Sequence, residues 1–303
     1  MGNRAWGARA LGIFFLASLL VAACGQQQQR TQKVVDDADN TPAPSFDTSS
    51  FDPDDSTALL GDSNLSQDGG INAAIEALKG IPAENQDQAQ LFQDAGSGLM
   101  NFRDALLSVG GLTSESSASA LQSRFQGLNS QLALIAQRLE QQRYFELAAV
   151  FWDLSNKVPV YRFKHPSRGH NFASDLIEVS KLINNEKWKF EGIAFRLHKE
   201  TSGWAPQALF RCTAVEKIGT LVIKVSVYGK EATCGAKGTS GVRLGYIAAQ
   251  PNRFFDQKLH HLKHPNANRK REFLTASETE FKTLTTPPKG KWKDLGVLGH
   301  VSY

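Results

Sequence analysis

Trp188-Lys189-Phe190-Glu191-Gly192-Ile193 returns late in the chain as Trp292-Lys293-Asp294-Leu295-Gly296-Val297, keeping Trp, Lys and Gly and a β-branched residue after the glycine. Between them Arg243-Leu244-Gly245-Tyr246-Ile247 is a weaker third copy, and glycines 192, 245 and 296 stand 53 and 51 residues apart. Strand-like runs begin at Tyr161, Phe210 and His261 with nearly the same spacing, 49 and 51 residues. Phe172-Ala173-Ser174 corresponds to Phe273-Leu274-Thr275, each leading into a short helix. Three near-equal periods predict one unit used three times with pseudo-threefold symmetry, each copy too small to bury its apolar face alone. Leu221, Ile223, Val225 and Val227 alternate with Lys224 and Ser226, the pattern of a half-buried strand. A glycine inside the last strand of each unit predicts a bulge or a close backbone approach.

Upstream the period changes from two to three and four. Phe92, Ala95, Leu99, Phe102, Leu106 and Val109 form one helical stripe, and Leu121, Phe125, Leu128, Leu132, Ile135 and Leu139 a second. Gly110-Gly111 stops the first helix, although Gly96 and Gly98 weaken its middle; Thr113 or Ser114 with Glu115 starts the second. The stripes predict an antiparallel helical hairpin within one chain, with a short helix around Ile71 to Leu78. The second helix is expected to run past Gln142 with its apolar face moved to Phe145, Ala149 and Trp152. The fold class is α+β and multidomain: a helical hairpin over 71–157, then a basic three-repeat β domain over 158–303.

Arg4 and Arg9 precede an apolar stretch from Leu11 to Ala22, the length of a signal peptide and short of the roughly 20 residues a bilayer span needs. It runs into Val21-Ala22-Ala23-Cys24, which resembles the lipobox of bacterial lipoproteins. The resemblance implies cleavage after residue 23 and an anchor of two or three acyl chains on Cys24. Gly25 follows where Asp would mark inner-membrane retention, so an outer-membrane address is expected. Residues 24–70, with Gln26 to Gln29, Asp36, Asp37, Asp39, Pro42 and Pro44, read as a disordered acidic, Gln-rich tether. Cys212 and Cys234 are then the remaining thiols, and in an oxidising compartment they are expected to pair.

The stretch Val160-Tyr161-Arg162-Phe163, Gly169, Phe172, Glu178, Trp188, Glu191, Gly192, Ala194 and Phe195 resembles a bacterial family of unknown function. Its repeats occur in tandem, often beside cell-wall muramidases and amidases. Asn171 replaces the His usual in that family, and Glu272 holds the place in the last copy. The resemblance implies a compact, trefoil-like three-repeat domain and an association with the cell envelope, with no known reaction.

The formal net charge of +4 hides a polarity. Residues 25–157 carry 8 Lys and Arg against 18 Asp and Glu, a balance of −10; residues 158–303 carry 24 against 12, a balance of +12, and all seven histidines. Such a split points to an anionic neighbour for the second half. Arg269, Lys270, Arg271, Lys289, Lys291 and Lys293 are the candidate ligand-binding residues. His170 beside Asp175 reads as a loop histidine near a helix start, and His260, His261 and His264 lack further ligands to complete a zinc set. Trp188 and Trp292 read as core pillars. No Gly-x-Ser-x-Gly turn and no phosphate-binding glycine loop occurs. The expectation is therefore no enzyme, no cofactor, no metal site and no nucleic-acid partner. The function expected is a binding module for an anionic envelope polymer, lipopolysaccharide, glycan or lipid head group, held to the bilayer through Cys24. The alternative is an assembly partner that docks on another envelope protein through the helical hairpin.

Overall fold

The computed structural model describes residues 75, 78–185, 188–218, 220–235, 240–266, 270–287 and 291–302. The signal peptide, Cys24, the tether, most of the short helix expected at 71–78, and Arg269 and Lys289 lie outside the described residues. The chain is α+β: helices lead, and two antiparallel sheets follow.

Helix α1 (Gln86–Ser108) starts where the Asn85 side chain accepts the Gln88 N–H. After a single 3-10 turn at Val109–Gly111, α2 (Glu115–Gln141) starts at Ser114, which exchanges hydrogen bonds with Ser117 in a capping box. The predicted stripes are buried in both, apart from a partly covered Phe125. Contacts run in opposite order along the two helices, Asp94 with Arg138 and Phe102 with Phe125, and Phe92 meets Tyr144 just beyond α2. α2 does not run past Gln142. Arg143 takes a left-handed φ of 63° and α3 (Phe145–Ser155) begins afresh. The break resets the helical phase. Leu147, Ala148, Val150, Phe151 and Leu154 are buried, whereas Phe145 is 62 % exposed and Trp152 41 %.

The strands are β1 (Lys157–His165), β2 (Gly169–Ala173), β3 (Lys189–His198), β4 (Gln207–Ile218), β5 (Leu221–Gly229), β6 (Val242–Ile247), β7 (Gln257–Lys263), β8 (Glu272–Thr275) and β9 (Lys293–Val301). Their order is β2-β1-β3-β6-β4-β5 in one sheet and β8-β7-β9 in the other. One pattern therefore occurs three times: the first strand of each unit lies between the second and the third. Helix α4 (Leu176–Asn185) joins β2 to β3, and α5 (Glu278–Thr285) joins β8 to β9. The β5–β6 connection is instead tied back to β4 by the Cys212–Cys234 disulfide, with Cα atoms 6.0 Å apart. Pro159, without an N–H, is tolerated in β1 because β2 pairs only from Tyr161 onward.

The third strands converge. His198 pairs with Tyr246, Arg196 bridges Ser302, and Ala248 bridges His300. Gly192, Gly245 and Gly296 sit beside register shifts and take φ of 103°, 156° and 101°. At Gly245 a Cβ would meet the His198 carbonyl and Leu197 Cβ, both at 2.8 Å, so the close strand approach itself requires glycine. One apolar cluster draws Val160, Phe172, Phe195, Leu209, Leu259 and Phe273 from all three units. Another joins the helices to Tyr161, Phe163, Leu176 and Ile193 of the first unit.

Register corrects one correspondence. Phe172 stands opposite Arg162, and the structurally equivalent pair in the last unit is Leu274 opposite His261. Asp175 and Ser277 then occupy matching cap positions, accepting from Glu178 and Glu280 N–H. Asn171 therefore matches Phe273, and not Glu272.

Candidate ligand-binding sites

The ends of β1 and β3 place Lys164 opposite Lys189, and the ends of β7 and β9 place Lys263 opposite Lys293. Like charges directly opposite on neighbouring strands are unfavourable unless something neutralises them. Each pair lies beside the same aromatic contact: His165 with Trp188 at 4.9 Å, and His264 with Trp292 at 5.4 Å. Lys189 and Lys293 are exposed, and both tryptophans are half-buried. In the last unit Glu272 flanks Lys263 on the other side, held by His261 at 2.7 Å and the Tyr228 N–H at 2.8 Å.

Of the predicted basic residues, Lys293 belongs to this arrangement and Lys291 and Lys270 are exposed nearby in the chain. Arg271 serves the architecture: it donates to the Ser167 carbonyl at 2.7 Å, approaches Glu216 at 3.6 Å, and packs against Gly169. Lys164, Lys189 and Lys263 escaped the sequence reading because their opposition depends on strand register, although the Trp-Lys repeat carried half of the signal.

The histidines are engaged with carboxylates and rings. His260 meets Glu278 at 3.0 Å and stacks on Phe281, while His261 meets Glu272. His170 does not meet Asp175, which caps α4; it is buried 3.8 Å from Glu191. Glu191 pairs with Arg162 at 2.9 Å, and Arg162 reaches across to Glu280 at 3.0 Å, joining the first and last units. Arg211 and Glu178 join the second unit to the first at 2.6 Å. Burial, with Arg162, Lys164 and Arg271 nearby, holds the His170 imidazole well below its ordinary pKa.

A second arrangement has no local signature in the sequence. Asp153 of α3 meets Lys157 at 2.8 Å and His198 Nε2 at 2.8 Å, and His198 Nδ1 meets Ser202 Oγ at 2.8 Å. The order Ser-His-Asp is that of an activated nucleophile. Its surroundings fit a structural brace better. Ser202 Oγ accepts the Ala205 N–H while the Ser202 N–H donates to the Ala205 carbonyl. The N–H groups of Lys199 and Glu200 are held by Asn156, so these four local donors are engaged within the fold. The brace welds α3 to β1 and β3 and forms the floor of a cleft of about 630 Å³.

Residues 136–216, from the last turns of α2 into β4, match the model of a domain of unknown function, DUF5648. No curated protein and no solved structure matches the chain. The matched stretch is thus similar to a recognised domain that has no assigned function, and it contains the first repeat unit together with the brace.

Proposed function

We propose that this protein is a lipid-anchored envelope lipoprotein whose repeat region is a non-catalytic module for an anionic envelope polymer, glycan or lipid head group. In this reading the helices form a hairpin, the three units close as a trefoil-like body, and acylated Cys24 holds the chain to the outer membrane. The observation that carries it is the lysine pair beside a His–Trp contact, present in both the first and the last unit. An anion at these strand ends would meet ammonium groups beside an indole, and in the last unit Glu272, also opposite Lys263, offsets part of that charge. The balance of +12 over residues 158–303 draws such a ligand toward this half.

The test is binding of the full chain to purified lipopolysaccharide and to polygalacturonate across a salt series. Exposed charges act over roughly 8 Å at physiological ionic strength, so affinity should fall steeply as salt rises. Replacing Lys164, Lys189, Lys263 and Lys293 with Gln should remove most of the binding, and replacing Lys270 alone should remove little. Binding that ignores salt and survives the fourfold variant sinks the reading. The anchor is checked separately: Cys24→Ala should lose palmitate label and detergent partitioning.

A second reading takes the helices as the docking element, where Met100, Leu107 and Leu134 are exposed on α1 and α2. Capture of an envelope protein by the helices, abolished by Leu134→Glu, together with no anion binding, would put it first.

A further inference from the structure

The cleft above the brace is lined by α2, α3 and the segment after β3, and by none of the four paired lysines. Two large aromatic side chains stand in its wall, Trp152 at 41 % exposure and Trp204 at 45 %. Both are held. The Trp152 Nε1–H donates to Glu140 at 3.0 Å, and Trp204 packs edge-on against Phe254 at 5.1 Å with the Arg253 guanidinium 5.4 Å from its ring. The Asn252 amide also donates to the Trp204 carbonyl at 3.1 Å, tying its loop down. Half-exposed tryptophans fixed in a cleft offer flat apolar surface to a ligand.

The lining also carries polar side chains, among them Gln126, Asn129, Asn156, Glu200 and Ser202. Among the described residues, the Asn129 side-chain oxygen at the edge of the cleft is buried with no hydrogen-bond partner. Buried polar atoms are ordinarily paired, so this acceptor, which has no solvent contact, needs a turn of its amide to meet a donor in the cleft. The charged side chains in the lining are Glu140, Glu200 and Asp153, the last already paired with Lys157 and His198, against Lys199, so no excess of cations draws an anion here. The volume, about 630 Å³, lies within the range of small-ligand sites.

We infer that this cleft is a binding site for a short uncharged oligosaccharide. A pyranose ring has an apolar C–H face that lies on an indole, and hydroxyl edges that exchange hydrogen bonds with amides and carboxylates. Trp152 and Trp204 supply the platforms. Asn129 accepts a sugar hydroxyl or acetamido N–H, and Gln126 and Glu200 read further hydroxyls. The site is separate from the lysine pairs in place and in charge, and stands whether or not those bind an anion.

The test is calorimetric titration of the full chain, solubilised in detergent, with chitotriose, cellotriose and maltotriose. At least one of the three should bind with little dependence on salt. Trp152→Ala, Trp204→Ala and Asn129→Leu should each weaken it by roughly fivefold or more. The fourfold Lys→Gln variant should leave it unchanged, which separates this site from the anionic one. Should Trp152→Ala lose the fold, Trp152→Gln, which keeps a donor for Glu140, takes its place. Failure of all three sugars to bind at about 10 mM overturns the inference. So does binding that is indifferent to both tryptophans.

Discussion

His170 and Arg162 show how single residues in the first unit hold the repeats together. Arg162 neutralises two buried carboxylates, Glu191 at 2.9 Å and Glu280 at 3.0 Å. Removing one partner of such a set strands the others in a dry interior. His170 sits in the same cluster, 3.8 Å from Glu191 and 4.6 Å from the Phe273 ring. Burial first, and then the charges of Arg162, Lys164 and Arg271, lower its pKa, so the folded protein holds it neutral. The unfolded chain binds that proton more readily. The stability contributed is therefore complete above about pH 6.5 and is lost as pH falls toward the depressed folded value. The urea midpoint should drop between about pH 7.5 and pH 5.5, and His170→Gln should flatten the drop. His300, also lowered by burial, keeps some slope in the variant. Identical pH profiles for the two proteins would remove His170 from this account.

Among the elements, the first long helix carries two glycines with opposite physical meaning. A Cβ at Gly96 meets nothing within 4 Å, whereas at Gly98 it meets Ile135 Cδ1 at 3.1 Å and Leu132 Cδ2 at 3.4 Å. Gly96→Ala should raise stability by about 0.5–1 kcal/mol through backbone entropy alone. Gly98→Ala should show no such gain, because the facing helix must give way. Thermal or urea denaturation of the two variants checks this, and equal gains would mean that the helices do not approach closely at Gly98. Helix α3 is the element whose buried face the periodicity misassigned. Its apolar residues fall on both sides at helical spacing, so the pattern admits two phases. The left-handed residue at Arg143 selects one, burying Leu147, Phe151 and Leu154 and turning Trp152 toward the cleft.

For the molecule as a whole, the helices and the first unit share one apolar cluster, and Asp153 braces Lys157 and His198 from across the boundary. A fragment starting at Val158 loses Asp153, leaves His198 without its carboxylate and bares Tyr161, Phe163 and Ile193. It should melt well below the full chain or aggregate. A fragment that melts with the full chain would show the brace to be dispensable. Reduction of Cys212–Cys234 should cost about 3 kcal/mol, since the bridge closes a sequence separation of 22 residues. By itself the sequence determined the two helical stripes, the stop of the first helix and the start of the second, the threefold period, the bulge glycines and the disulfide. Each is written in neighbouring residues, as an apolar period, a cap or a φ only glycine tolerates; for the disulfide, two thiols allow one pairing. Tertiary structure alone decided the lysine pairs, the ion pairs between units, the brace and the cleft. Those join side chains that are far apart in the chain, and strand register and helix phase, which no local pattern encodes, bring them within bonding distance.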